Sequence, residues 1–231
     1  GQRITFGRRS AWRIRSRRRE VLEKALPGIR IVLPPGKETV DPANWFDGVQ
    51  SNIWLEVGFG GGEHLLEQAR LRPDAAFLGC EPFIDGVAKL VQALDANGVG
   101  NVRIFMDDAR LMLHRLPASC LAGVFILFSD PWPKKRHHKR RFVNPPVLDL
   151  IARAMAPGAE LRIATDHHDY LVWILEHMQR PDEFEWLARR PEDWQRRPPD
   201  WPETRYERKA IAARRDCIYL RYRRRGSNRT T

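Results

Sequence analysis

Carboxylates stand in or directly after three successive short apolar segments of the chain. Glu56 lies within the first segment, Glu81 follows the second and Asp108 follows the third. Ligands of open α/β sheets bind at the carboxyl ends of the strands, so these acids share one edge if the segments are parallel strands. A glycine-rich turn leaves the first segment and lets the backbone approach a ligand closely. The candidate binding residues at this edge are Glu56, Gly58, Gly60, Glu81, Asp108 and Ala109.

The glycine-rich turn departs from the fingerprint of dinucleotide binding. Where G-x-G-x-x-G has its third glycine, this chain has Glu63, whose carboxylate is unfavourable beside a pyrophosphate. Acids at the edge favour a ligand with cationic character, and S-adenosylmethionine, with an ammonium, a sulfonium and no phosphate, fits. Glu81 is then placed for the ribose hydroxyls and Asp108 for the adenine amino group. Purely structural interpretations stay open: a tight turn, a carboxylate favoured at a helix N-terminus and a helix N-cap.

The densest chemistry follows the fourth apolar segment, residues 124–128. Ser129 and Asp130 come first, a Pro-Trp-Pro turn follows, and Lys134 opens the run KKRHHKRR. The prolines restrict the loop and lower the entropy cost of holding Asp130 and Lys134 in place. The alternative is a surface loop with solvated charges. A metal site at the two adjacent histidines is not expected, because neighbouring side chains diverge and no cysteine supports them.

Positive charge is concentrated in two places. The formal net charge is +11, of which residues 1–20 contribute +7 and residues 134–141 contribute +6, leaving −2 for the remainder. Two basic clusters on a near-neutral body indicate a polyanionic partner, with solvated surface charge as the alternative. No apolar run reaches the length of a membrane span. Three widely spaced cysteines, with no C-x-x-C pair, favour a reducing, cytoplasmic setting.

Apolar runs alternate with helical periodicity from residue 52 onwards. Strands are predicted at 53–57, 76–80, 102–106, 124–128, 161–164 and 217–222, and helices at 64–71, 86–96, 109–113, 147–155 and 170–178. Alternation at this spacing indicates an α/β fold with a mainly parallel sheet. Residues 1–36 are expected to form a basic N-terminal arm that is partly mobile, and residues 37–231 a single domain.

Motifs spread over most of the chain resemble those of the bacterial tRNA (guanine-N7-)-methyltransferase family. They are ITFGRR, EVGFGGGEHL, DDA, SDPWPKKRHHKRRF, ATDHHDYL and TRYE. The resemblance implies a class I S-adenosylmethionine-dependent methyltransferase fold, Rossmann-like, with a mostly parallel seven-stranded sheet flanked by helices. It also implies methyl transfer to guanine N7 in tRNA, at position 46 of the variable loop, forming 7-methylguanosine. Ser129 departs from the family, which usually has proline before the Asp-Pro pair.

The same resemblance assigns roles to individual residues. Asp130 is the expected catalytic residue, and it joins Glu56, Glu81 and Asp108 in contacting the methyl donor. The expected substrate contacts are Lys134, Asp166, Thr204, Arg205, Tyr206 and Glu207. The expected RNA-contacting residues are Arg136, His137, His138, Lys139, Arg140 and Arg141. Without the resemblance, two structural alternatives stay open: Asp166 as the cap of a helix that starts near Tyr170, and residues 204–207 as ordinary strand residues.

A methyltransferase acting on guanine N7 needs no general base, because that nitrogen carries an exposed lone pair and no proton. Three alternatives remain: a methyltransferase for another RNA base or for a small molecule, a non-catalytic RNA-binding protein on the same fold, and an NAD-dependent dehydrogenase. The full set of donor-site acids argues against the second, and Glu63 argues against the third. The expected partner is tRNA, with no membrane, metal or obligate protein partner, and the protein is expected to be a monomer or homodimer.

Overall fold

The computed structural model describes residues 16–48, 51–179 and 182–226 of the chain. The ITFGRR motif and most of the N-terminal basic cluster, within residues 1–15, lie outside the described residues. The chain divides into two compact units, Gly1–Leu116 and Pro117–Thr231. None of the helices in the described ranges is long and apolar enough to cross a bilayer.

The first unit holds four strands, and the three strand pairs within the unit are all parallel. Its elements are α1 (Ser16–Ile29), β1 (Arg30–Ile31), a 3₁₀ helix (Pro42–Trp45), β2 (Ile53–Val57), α2 (Glu63–Leu71), β3 (Ala76–Cys80), α3 (Ile84–Asn97), β4 (Val102–Phe105) and α4 (Ala109–Arg115). The strands are neighbours in the order β1-β4-β3-β2. Every residue of β2 and β3 is buried, which explains why their sequences are almost wholly apolar.

Helix α1 occupies part of the segment predicted to be a basic arm. It packs against α3 and β4, and Leu22 is among its buried residues. The Arg115 guanidinium donates hydrogen bonds to the carbonyls of Pro34, Gly36 and Glu38, which holds the Pro- and Gly-rich segment on the unit. Apolar residues recur at helical spacing here (Val21, Leu22, Ala25, Leu26 and Ile29), but the arginines before them and the Pro27-Gly28 pair favoured an extended arm, so this helix was not predicted. The boundary at residue 36 and the mobility of the arm stay predictions.

The second unit combines one parallel strand pair with two antiparallel pairs. Its elements are β5 (Leu121–Leu127), a 3₁₀ helix (Lys135–Arg140), α5 (Pro145–Ala154), β6 (Met155–Thr165), α6 (His168–Met178), β7 (Phe184–Trp186), α7 (Glu192–Gln195), α8 (Arg205–Ala212) and β8 (Ile218–Arg224). The strand order is β5-β6-β8-β7. β5 and β6 are parallel, whereas β8 runs antiparallel to both of its neighbours.

All six predicted strands and all five predicted helices correspond to elements of the structure. β2 and β3 have the predicted bounds, while β6 is longer than expected and begins directly after α5. The resemblance implies seven strands, and the described residues form eight. The difference is the two-residue β1, which adds to the edge beside β4.

Candidate active site

The carboxyl ends of β2, β3 and β4 lie side by side in the first unit. Val57 is in register with Cys80, and Cys80 with Phe105. The Gly58 amide donates to the Cys80 carbonyl at 2.8 Å, and the Glu81 amide donates to the Phe105 carbonyl at 3.1 Å. The structure therefore brings the segments that contain the predicted cofactor-binding residues of this unit to one edge.

Glu81 joins the glycine-rich turn to the start of α3. Its Oε2 accepts a hydrogen bond from the Gly60 amide and its Oε1 accepts one from the Phe83 amide, both at 2.9 Å. Gly58 and Gly60 have φ values of 67° and 56°, in the left-handed region that favours glycine. Glu81 is thus part of the scaffold that shapes the turn, in addition to its predicted contact with a ribose.

Glu56 is buried in the centre of this edge and is paired with a histidine. His64 Nδ1 lies 2.7 Å from Glu56 Oε2, and both side chains are almost fully buried. His64 lies in the first turn of α2, directly after the glycine-rich turn. His64 was not among the predicted site residues, although the motif EVGFGGGEH places it where a helix start must approach the strand end.

Asp108 is both a helix cap and an ion-pair partner. Its Oδ1 accepts from the Arg110 amide at 2.9 Å, and its Oδ2 accepts from Arg110 Nη1 at 2.8 Å. Burial raises the pKa of the Cys80 thiol well above its usual value, and the carboxylates of Asp108, Glu81 and Asp107 raise it further. Three carboxylates therefore lie near the end of β3, one of them paired with Arg110.

Asp130 and Asp166 follow the paired ends of β5 and β6 in the second unit. Leu127 is in register with Ala164, and the Phe128 amide donates to the Ala164 carbonyl at 2.8 Å. Although Asp130 is exposed at the surface, partial burial of its carboxyl raises its pKa. The structure thus brings the predicted catalytic residue and one predicted substrate contact to the same edge.

The turn after β5 is sharp, and side-chain contacts support it. Phe128 and Trp132 have φ values of 50° and 43°, a left-handed conformation that costs energy in residues other than glycine. Ser129 Oγ lies within 3.2 Å of the Tyr170 hydroxyl. This hydrogen bond ties the turn to α6.

One arginine of the basic run is buried and anchors the loop. Arg141 is only 1% exposed; its Nε donates to the Pro131 carbonyl at 2.8 Å, and its Nη2 donates to Asp169. Its guanidinium also lies over the Tyr170 and Trp173 rings, at 5.3 and 5.0 Å. The hydrogen bond from Arg141 lowers the pKa of Asp169. The side chain of Arg141, predicted to contact RNA, is therefore enclosed by the protein itself.

The other predicted RNA contacts are more accessible. Lys134, Arg136 and Lys139 are exposed, while the Arg140 guanidinium lies 4.9 Å from the Trp132 ring centroid. His137 packs edge-on against the same ring at 5.8 Å. Partial desolvation and the neighbouring cations lower the pKa of His137. His138 Nε2 lies 3.0 Å from Arg141 Nη2, so this histidine belongs to the anchor.

The TRYE motif begins a helix. Thr204 is the N-cap of α8 and forms a capping box with Glu207. The Glu207 carboxylate is buried, accepts from the Tyr219 hydroxyl and pairs with Arg197 Nε at 2.9 Å. Burial, followed by the hydrogen bond to Glu207, raises the pKa of Tyr219. Thr-x-x-Glu is a capping-box signature, so the sequence contained the signal for this helix start.

The two central residues of the motif have a different environment. Arg205 and Tyr206 are exposed on α8, and Tyr206 shows 62% of its surface to solvent. They are thus the members of TRYE whose side chains are accessible to a substrate. Among residues 16–48, 51–179 and 182–226, no cluster of three His, Cys, Asp or Glu side chains is arranged to hold a metal ion.

Solved structures with a similar fold include methyltransferases and one enzyme of another name. An rRNA methylase from Streptococcus thermophilus aligns with a TM-score of 0.52 at 12% identity, covering 77% of this chain and 89% of that protein. The [4+2]-cyclase SpnF aligns with the same TM-score at 14% identity, covering 76% of each chain. At such low identity these similarities establish the fold alone. With the parallel strands of the first unit and its glycine-rich turn, they define a class I methyltransferase fold, as predicted.

Sequence comparison identifies the family. A family model described as "Putative methyltransferase" matches residues 50–220. The tRNA (guanine-N(7)-)-methyltransferase of Rhodospirillum rubrum is 44% identical over 222 residues, covering 95% of this chain and 87% of the relative. The enzyme of the same name from Zymomonas mobilis is 45% identical over 220 residues, covering 95% and 93%. The chain belongs to the tRNA (guanine-N(7)-)-methyltransferase family, which confirms the predicted resemblance.

Proposed function

We propose that this protein transfers a methyl group from S-adenosylmethionine to N7 of a guanine in tRNA, at position 46 of the variable loop. The observation that carries the proposal is the segment from Asp130 to Arg141. There, an acid at the end of a β-strand is followed directly by a cationic loop that a buried arginine anchors. Relatives that carry the name of this activity, each aligned over about 95% of the chain, support it.

The side chains of the first unit fit S-adenosylmethionine. This ligand supplies an electrophilic methyl group on a positively charged sulfur, and the carboxylates of Glu81 and Asp107 near the end of β3 carry the opposite charge. Glu81 and Asp108 are the residues assigned to its ribose and adenine, and Gly58 and Gly60 allow the backbone to approach closely. Glu56 completes the proposed donor-binding set of this unit, and the resemblance adds Asp130 as a further expected donor contact.

Asp130 and Asp166 are proposed to hold the guanine. Their carboxylates accept hydrogen bonds from the N1–H and N2–H₂ groups, which orients N7 along the line of the breaking methyl–sulfur bond. As N7 gains the methyl group the purine ring becomes positive, and the same carboxylates stabilise that charge. The bonding electrons pass to sulfur, so no proton has to move. Lys134, Arg205 and Tyr206 are exposed and available for the rest of the nucleoside.

The exposed members of the basic loop are proposed to contact RNA, while Arg141 holds the loop in position. Contacts to phosphates release counterions and make affinity fall with salt, and Arg136 and Lys139 are accessible for such contacts. Thr204 and Glu207 are proposed to position Arg205 and Tyr206 by fixing the start of α8. A tRNA substrate and three free cysteines support a reducing, cytoplasmic setting.

Transfer of labelled methyl from S-adenosylmethionine to an unmodified tRNA transcript tests the proposal. We expect 7-methylguanosine after nuclease digestion, and no transfer to a matched transcript that contains 7-deazaguanine in place of guanine. Strand cleavage at 7-methylguanosine then maps the modified position. Label in the 7-deaza transcript would assign the enzyme to another atom, and an inactive wild-type protein that still binds tRNA would favour the non-catalytic alternative.

A further inference from the structure

A cavity lies within the second unit, beside Asp166 at the end of β6. It has a volume of about 820 Å³ and is lined by the end of β6, the segment around α7 and the loop between α8 and β8. Cavities of roughly 300–1,000 Å³ are typical of small-molecule sites. Neither the proposed donor site nor the proposed basic loop uses Trp194, Arg196 or Arg214, which line it.

Three arginines and two aspartates give the lining a small positive excess. Arg215 Nε donates to Asp166 Oδ2 at 2.8 Å, so the guanidinium of Arg215 is already engaged by a partner within the lining. Arg196 and Arg214 are exposed, and among the residues that the structure describes no acid lies within ion-pair distance of either guanidinium. Such guanidiniums are suited to bidentate contact with a phosphate.

Arg214 has a backbone conformation that an arginine adopts only at an energetic cost. Its φ is 55°, and the amides of Arg214 and Arg215 donate to the carbonyls of Ile211 and Ala210 at 2.9 Å each. This is the Schellman pattern that ends a helix, and Arg214 stands at the position where glycine is favoured. Glycine at this position would remove the backbone strain, so the presence of arginine favours a functional role for its side chain.

Trp194 supplies an aromatic face on which the base of a nucleotide can stack. The half-buried indole lines the same cavity as the two arginines, and aromatic faces stack on the unpaired bases of single-stranded RNA. Asp166 on the shared rim is the proposed contact of the target guanine. A nucleotide that adjoins the target in the RNA strand therefore meets an aromatic face and two cations here.

We propose that this cavity binds the nucleotide next to the target guanosine, with its base on Trp194 and its phosphate on Arg196 and Arg214. The proposal rests on the proposed function for the identity of the target. The proposed occupant is a nucleotide of the RNA strand, because the indole of Trp194 matches its base and the guanidiniums of Arg196 and Arg214 match its phosphate.

Arg214→Gly separates a role in binding from a role in folding. The glycine relieves the left-handed strain, so we expect the melting temperature to rise by about 2–4 °C. For an unmodified tRNA transcript we expect Kd to rise about tenfold and the slope of log K against log salt to become shallower by about 0.7, the value for one single-strand phosphate. Arg196→Ala is expected to change the affinity and the slope in the same way.

Trp194 is tested by a pair of substitutions. Trp194→Leu should weaken tRNA binding about tenfold without changing the salt slope, because stacking carries no counterion release. Trp194→Phe should restore most of the affinity. The matched control is Arg223→Ala, which removes an exposed cation from the opposite end of β8. We expect this variant to bind tRNA as wild type does.

The outcomes separate this proposal from the proposed function. If Arg214→Gly and Arg196→Ala bind tRNA with the affinity and slope of Arg223→Ala while wild type methylates tRNA, the cavity proposal is wrong and the function stands. If the variants lose affinity as expected but wild type transfers no methyl group, the RNA site stands and the catalytic assignment is wrong. A competing free mononucleotide that saturates the cavity but leaves tRNA affinity unchanged would also overturn the proposal.

Discussion

Gly86→Ala tests whether the glycine-rich turn depends on close contact with α3. A Cβ at Gly86 lies 2.1 Å from the Gly60 carbonyl oxygen, against about 3.5 Å for ordinary contact. The turn or the helix must therefore move by roughly 1 Å. The Gly60 amide is also bound to Glu81 at 2.9 Å, so this movement strains a charge-assisted hydrogen bond. Overpacking costs about 1–3 kcal/mol. Because the hydrogen bond is strained and not broken, it adds only a part of the about 1.5–3 kcal/mol that its loss would cost, so we expect a loss of about 2–4 kcal/mol.

Urea denaturation measures the stability, and calorimetric titration with S-adenosylmethionine measures donor binding, for which we expect at least a tenfold weaker Kd. Two controls isolate the cause. Gly100→Ala has no atom within 4 Å of the new Cβ and no positive φ, so it should be neutral or slightly stabilising. Gly58→Ala has open space but a φ of +67°, so it reports backbone strain alone, about 1–2 kcal/mol. If Gly86→Ala is no less stable than Gly58→Ala and binds the donor normally, the steric argument is refuted.

Three further predictions follow from the second unit. Asp130→Asn should lose methyl transfer by orders of magnitude, because Asp130 is the proposed catalytic residue. Because burial raises the pKa of Asp130, the same variant should be more stable than wild type in urea at pH 7. This gain in stability should vanish below about pH 4, where the carboxyl is protonated in both the folded and the unfolded protein. Arg141→Ala should lower the free energy of unfolding by about 1–3 kcal/mol, whereas Arg136→Ala should change it by less than about 0.5 kcal/mol and flatten the salt dependence of tRNA binding; equal effects would remove the distinction between anchor and contact. Glu207→Gln should destabilise the protein by about 1–3 kcal/mol in urea, because the Tyr219 hydroxyl loses a charged acceptor; unchanged stability would contradict a positioning role.

Sequence patterns predicted those elements whose burial shows directly in the sequence as an apolar run or a helical spacing of apolar residues. β2 and β3 are buried at every residue, so their apolar runs identified both bounds. α1 has apolar residues at helical spacing, but Pro27 and Gly28 near its end favoured an extended segment. Its packing against α3 stabilises the helix, and the sequence does not show that contact. β7 has three residues, of which only Phe184 is buried. No local sequence pattern predicts this strand, because its extended conformation depends on pairing with β8.

The site was predictable in its residue types but not in its pairings. The acids follow the strands as expected, whereas His64 beside Glu56 and Arg215 beside Asp166 are contacts made by the tertiary structure. The basic run shows the limit best. The sequence gives no reason to expect that one of its eight basic residues is buried. Arg141 is buried because Asp169, 28 positions away, supplies its counterion.

Salt should separate the two kinds of binding that the proposed reaction needs. The cationic donor requires acids and the polyanionic tRNA requires cations. Glu56 and Glu81 are buried, where charges act at short range and are weakly screened, whereas the exposed lysines and arginines of the loop lie in solvent with a screening length of about 8–10 Å at physiological salt. From 50 to 200 mM salt we therefore expect tRNA affinity to fall steeply and donor affinity, measured by calorimetry, to change little. A donor affinity that falls as steeply as the tRNA affinity would contradict the assignment of the donor to the buried acids.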